Sequence, residues 1–203
     1  MLGRRQRGDT LVEVLFAFAI LSMVVVGSMT IMNQGAQTSQ RSLEMTTARQ
    51  TMDGQADALR FLHDAYIAQF KVASATYDPA TPAGQWKLIT DNLNDGAVVA
   101  PIDAAEKCPA TPPTGSFIID PTNAKRVTDK FEEVQVQPQL TFSGGTLSKA
   151  RGIWIEGFRS AQTGDSVRDK TRYIDFYIRT CWQAAGQGAP TTLGTIVRLY
   201  EPR

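Results

Sequence analysis

The chain has 203 residues, 42% of them hydrophobic and 20% charged, with a formal net charge of +1. That supports one globular domain of ordinary size plus a dedicated membrane segment, and leaves too little apolar material for a second core. The charges carry no basic face or stripe of the kind a nucleic-acid binder shows, since Arg168, Asp169, Lys170 and Arg172 mix both signs in one stretch.

The N-terminus is the most informative stretch. Arg4, Arg5 and Arg7 precede a run from Leu11 to Met32 that is almost continuously apolar. At a rise of ~1.5 Å per residue, such a helix crosses a hydrocarbon layer of ~30 Å. No basic residue follows until Arg41, so the charge asymmetry orients the N-terminus toward the cytoplasm and exports the rest. An ordinary secretory signal has a shorter apolar core and a small-residue exit site, and this run lacks both features.

Glu13 breaks the apolar pattern, with Leu11, Val12, Val14 and Leu15 around it. A carboxylate inside a membrane span is costly and functional by default. Thr10 and Glu13 also have the Ser/Thr-x-x-Glu spacing of a capping box, which would satisfy free N–H groups at a helix start. Asp9 would equally serve as a helix cap.

Taken together, Arg-Arg-Gln-Arg-Gly8 followed by Asp9-Thr10-Leu11-Val12-Glu13-Val14-Leu15 and an unbroken apolar helix resembles the class III signal peptide of type IV prepilins. The resemblance covers about the first thirty residues. It implies that a prepilin peptidase cuts after Gly8 on the cytoplasmic side, removing the three arginines and leaving a slightly acidic mature chain. It also implies that Glu13 directs assembly. The new ammonium on Asp9 would neutralise the Glu13 carboxylate of an adjacent subunit, converting two charges expensive in lipid into one pair. The family usually places Phe or Met where this chain has Asp9, which leaves methylation of the new N-terminus open. Arg7-Gly8-Asp9 spells an adhesion tripeptide, but it straddles the proposed cut at the inner face of the membrane.

Beyond Met32 the helical pattern continues. Met45, Ala48, Met52, Ala56, Leu59, Leu62, Tyr66 and Phe70 follow three-and-four spacing, and Gln50, Asp53, Asp57, Arg60, Asp64 and Lys71 occupy the other side. A single helix is expected from Asp9 to about Val72, amphipathic in its second half, with Met45 and Met52 in the core. Gly27, Gly35 and Gly54 each weaken it by ~1 kcal/mol relative to alanine. His63, the sole histidine, falls on the exposed side or flank beside Asp64 and reads as a solvated residue.

Residues 77 to 114 are rich in proline, with Asn94-Asp95-Gly96 as a turn signal and a short helix around Gly84 to Leu93. Strands follow at Ser116 to Ile119, Val134 to Phe142, Arg151 to Phe158, Arg172 to Trp182 and Thr192 to Tyr200, with Ile174, Phe176 and Ile178 on one face. Pro138 places the second of these at an edge or a bulge. Consecutive strands joined by polar or glycine-rich connections favour an antiparallel sheet. The fold class expected is therefore α+β, a long N-terminal helix packed on an antiparallel head, and type IV pilins share this outline. The division would be a leader over 1–8, a transmembrane or filament-core helix over 9–32, its amphipathic continuation over 33–76, and a head over 77–203.

Cys108 and Cys181 are too few and too far apart for a zinc site built from CxxC pairs. They form either one disulfide, tying the proline-rich region to a strand in an oxidising exported head, or two buried thiols. Gly144-Gly145 and Gly186-Gln-Gly188 read as turns, because neither opens a helix after a strand with a following Lys-Ser/Thr. No Gly-x-Ser-x-Gly, His-Glu-x-x-His or Walker pattern is present, so no catalytic residue, metal ligand or cofactor site is expected.

The resemblance implies a structural subunit of a type IV pilus-like filament, a minor pilin by its large head and long proline-rich insertion. Its partners would be other pilin subunits, prepilin peptidase, the inner-membrane assembly platform, and membrane lipid before assembly, with no nucleic acid. It would sit in the cytoplasmic membrane as a single-pass protein with the head outside, then in an extracellular or periplasmic filament. A pseudopilin of a type II secretion system has the same N-terminus. A signal-anchored extracytoplasmic enzyme or binding protein is the alternative of another class.

Overall fold

The computed structural model describes residues 9–70, 76–95, 108, 113–128, 139–143, 146–159, 172–182 and 190–202. The leader, Val134 to Pro138, both glycine-rich turn candidates and much of the proline-rich stretch lie outside the described residues. The chain divides into two compact units, Met1–Glu44 and Met45–Arg203.

The first unit is described from Asp9 onward as helix, the opening part of α1 (Asp9–Phe70). Its apolar side chains are uncovered: Leu11 is 65% and Phe18 62% exposed. The few hydroxyls in the run turn back on the helix, Ser22 donating to the Phe18 carbonyl at 2.7 Å, Ser28 to Val24 at 2.7 Å and Thr30 to Val26 at 2.9 Å. Those bonds satisfy the hydroxyls within the helix itself.

The second unit is built on the remainder of α1. Its expected stripe is buried from Ala48 through Met52, Ala56 and Leu59 to Leu62, with Met45 and Tyr66 at its margins; Phe70, at the helix end, is largely exposed. Facing it are Ile153 and Ile155 of β6 (Ile153–Arg159), Ile174, Phe176 and Ile178 of β7 (Tyr173–Trp182), and Val197 of β8 (Thr191–Tyr200). Fully burying a side chain such as Leu59 or Ile178 stabilises by about 1.5–3 kcal/mol relative to exposure. This is the α+β arrangement of helix on sheet that alternating apolar strands and a striped helix require.

The main sheet has strand order β1-β6-β7-β8, where β1 is Asn94–Asp95. β6, β7 and β8 are antiparallel, with Ile155 opposite Ile178 and Phe176 opposite Val197. β1 runs parallel to β6, pairing Asn94 with Phe158. The turn expected at Asn94-Asp95-Gly96 is therefore displaced: the chain turns at Asp91 and Asn92, and Asn94–Asp95 is strand. Leu93 explains the shift, because it packs on the core and draws the following residues alongside β6.

Two small antiparallel pairs complete the unit, β2 (Ile118–Ile119) with β3 (Arg126–Val127) and β4 (Gln139–Ser143) with β5 (Thr146–Arg151), the latter with a register shift at Thr141/Phe142. Phe117 bridges to Ile155, joining the first pair to the main sheet.

The short helix α2 (Pro82–Thr90) starts two residues earlier than Gly84, with Thr81 accepting the Gly84 N–H at 3.2 Å and proline in the first turn. Gly84 is required there: a Cβ would lie 1.8 Å from the Asp78 carbonyl oxygen. Gly157 of β6 is similarly crowded, its hypothetical Cβ 2.4 Å from Leu93 Cδ2.

Candidate functional site

The chemistry-bearing residue of the first unit is Glu13. It lies on α1 four residues after the helix begins at Asp9, so it belongs to the face that carries Asp9. From Leu11 to Gln40 it is the sole ionisable residue, and its neighbours Leu11, Val12, Val14 and Leu15 are all exposed apolar side chains. A carboxylate near a helix N-terminus is favoured by the helix dipole, but in hydrocarbon that compensates little of its desolvation. The arrangement is an exposed apolar helix with one acid near its start, a carboxylate whose chemistry suits pairing with a cation. Gly8 lies outside the described residues, as do the side chains of Asp9 and Thr10.

In the second unit Cys108 and Cys181 are bonded as a disulfide, with Cα atoms 5.4 Å apart and a sequence separation of 73. The pair is buried against Trp154. Closing a loop of this length stabilises the fold by about 4 kcal/mol in the chain-entropy account.

His63 departs from its expected solvated position. Its side chain is 13% exposed, stacked edge-on against Trp86 with ring centroids 5.0 Å apart, and Nε2 lies 2.9 Å from the Tyr200 carbonyl. A carbonyl only accepts, so Nε2 carries the proton in that bond. His63 fastens α1 to the end of β8, which a flank position permits and periodicity alone does not reveal.

Several structural residues escape the sequence pattern altogether. Gln55 is buried on α1 and pairs its amide with the backbone of Ile119, donating at 2.7 Å to the carbonyl and accepting at 2.9 Å from the N–H. It occupies the place of a neighbouring strand. Gln85 does the same work between Pro79, whose carbonyl accepts its amide, and the Arg126 N–H at 2.8 Å. Arg159 reaches the Thr90 carbonyl at 3.1 Å and Glu201 at 3.2 Å, clasping α2 and the C-terminal tail to β6. Glutamine and arginine at such positions look like surface residues, and only the packing shows their partners.

Ionisable groups in the head are perturbed for structural reasons. The Thr122 hydroxyl, its N–H and Asn123 hold the Asp120 carboxylate below its usual range. Burial lowers the Arg126 guanidinium, which sits 5.6 Å from the Phe117 ring centroid, and burial followed by Tyr77 raises the Tyr66 phenol. Among the described residues no group of three His, Cys, Asp or Glu is placed to hold a metal ion.

Residues 3–29 match the family model described as the prokaryotic N-terminal methylation motif. No curated protein and no solved structure matches the chain. The matched segment contains Gly8, Asp9, Thr10 and Glu13 and ends within the exposed apolar helix. The chain therefore opens on a prepilin-type signal that leads into an apolar helix, and an α+β head follows, an arrangement consistent with the type IV pilin and pseudopilin family.

Proposed function

We propose that the chain is a structural subunit, a minor pilin, of a type IV pilus-like filament. In this reading residues 1–8 are a leader removed after Gly8 by prepilin peptidase, and 9–32 span the cytoplasmic membrane with the head outside. Beyond 32 the helix continues to Phe70 as the amphipathic stretch, and 77–203 form the head. Released from lipid, the apolar helix packs among those of other subunits in an extracellular or periplasmic filament.

The observation that carries this reading is the lone Glu13 on an uncovered apolar helix. The cleaved N-terminus of a neighbour supplies an ammonium that pairs with it, and Asp9 and Thr10 sit where that contact is made. Removing one partner of a buried ion pair costs about 3–5 kcal/mol, which is enough to fix the axial register of one subunit on the next. The head disulfide suits an oxidising compartment, where such bonds persist.

Two measurements test it. Coexpression with a prepilin peptidase should shorten the chain by the leader, with Asp9 as the new first residue on N-terminal sequencing; an unchanged N-terminus sinks the proposal. Glu13→Ala should be cleaved as well as the wild type yet be lost from filaments, and normal incorporation would remove the docking role while leaving processing intact.

A further inference from the structure

Once cleavage after Gly8 makes Asp9 the first residue, the charges at the start of α1 do not balance. Each mature chain brings one cation to this part of the helix, the new ammonium on Asp9, and two carboxylates, those of Asp9 and Glu13. The two positions are one turn apart on the same helix and share a face. No other charge in the apolar stretch corrects the surplus. From Leu11 to Gln40 Glu13 is the sole ionisable residue, and Arg41 lies roughly 40 Å further along the helix at ~1.5 Å per residue.

The imbalance bears on which neighbour the subunit accepts. The Asp9 carboxylate is tied covalently to the residue that bears the ammonium, so this N-terminus carries its own counter-ion. A stack of identical copies would bring together, at every contact, one ammonium, one Asp9 carboxylate and one Glu13 carboxylate, and leave one acid over. In surroundings as apolar as Leu11, Val12, Val14 and Leu15 supply, a surplus carboxylate is unfavourable whether it keeps its charge or takes up a proton. A single copy among other subunits meets that penalty once, whereas a run of copies meets it at every step.

We propose that Asp9 bars this subunit from stacking on copies of itself, so that its neighbours are subunits of a different sequence. One of them has an uncharged first residue and supplies a free ammonium to Glu13. The other presents no acid to the N-terminus, which Asp9 has already neutralised. Given the filament reading above, on which this inference rests, Glu13 holds a neighbour and Asp9 selects which neighbour is held. Asp9 is thus a positioning residue for partner choice, and the chain enters a filament as single copies rather than as a run.

The test uses the full chain in its native host, with a photo-cross-linking residue in place of Leu11 and the N-terminus of every variant sequenced from sheared filaments. Adducts of the chain with native Asp9 should join it to a different subunit, with fewer than about one in twenty linking two copies. Asp9→Asn, or Asp9→Ala where the first escapes cleavage, should raise the share of copy-to-copy adducts about tenfold. Asp9→Glu keeps the charge and should leave that share low. Copy-to-copy adducts that dominate with native Asp9, or a share that neither Asp9→Asn nor Asp9→Ala raises, overturn the proposal while the filament reading stands. A chain that still carries Gly8, or is absent from filaments, overturns the filament reading and partner choice with it.

Discussion

The two units of this chain use apolar residues in opposite ways. In the second, Leu59, Leu62 and Ile178 are withdrawn from solvent by a sheet folded against the same helix, and the buried Gln55 among them is matched to the Ile119 backbone. In the first, Leu11, Phe18 and Ile20 are as apolar but exposed among the described residues, and one acid interrupts them. The difference teaches that hydrophobicity alone does not make a core. A core requires a facing element; a helix without one takes lipid or other helices as its environment.

Substitutions can break or sharpen this contrast. The largest effect is expected at Trp86, fully buried between His63 and Phe176: Trp86→Ala should lower the unfolding free energy by about 3–5 kcal/mol in denaturant titrations of the full chain. A loss below 1 kcal/mol would mean that the head is not packed as described. Replacing Cys108 and Cys181 together by serine should remove about 2–4 kcal/mol, read as a lower thermal midpoint that reductant reproduces in the wild type.

Gln55→Leu keeps the bulk but strands the Ile119 N–H and carbonyl, so a loss of about 1–3 kcal/mol is expected. If Gln55→Leu proves neutral, the amide is not acting as a surrogate strand. A smaller effect follows from Asp120, whose carboxyl is held below its ordinary value chiefly by the Thr122 hydroxyl. Its contribution is present above the usual carboxylate range and is lost as pH falls through the depressed folded value. The stability difference between wild type and Asp120→Asn should therefore be flat near neutrality and vanish in acid, on equilibrium unfolding at stepped pH. Glu13→Gln should change the unfolding of the head by less than about 0.5 kcal/mol, since its environment is outside the head. That null result beside a lost filament would separate the roles of the two units most cleanly.

The outline of the head was legible from residue order, because the properties involved are local. An uninterrupted apolar run with arginines before it and one glutamate inside it is visible without coordinates, and so is a helix stripe that repeats every three or four residues. Ile174, Phe176 and Ile178 alternate visibly and do face the helix. The turn at Asn94-Asp95 was not legible correctly, since Leu93 and a parallel partner outweighed its local preference. Nor was the lodging of His63 against Trp86, because the two residues are far apart in the chain.

By itself, then, the sequence determined that this protein has an apolar anchor with a single acid, a helix striped for packing, and alternating strands to receive it. Only the tertiary structure decided that Cys108 bonds Cys181, that Gln55 takes the place of a strand beside Ile119, that Gln85 ties Pro79 to Arg126, and that Arg159 clasps the tail. The reason is physical. Periodicity and hydropathy report what a residue prefers to contact, whereas a hydrogen bond or disulfide between distant residues exists only once the chain has closed and each buried polar group has found a partner.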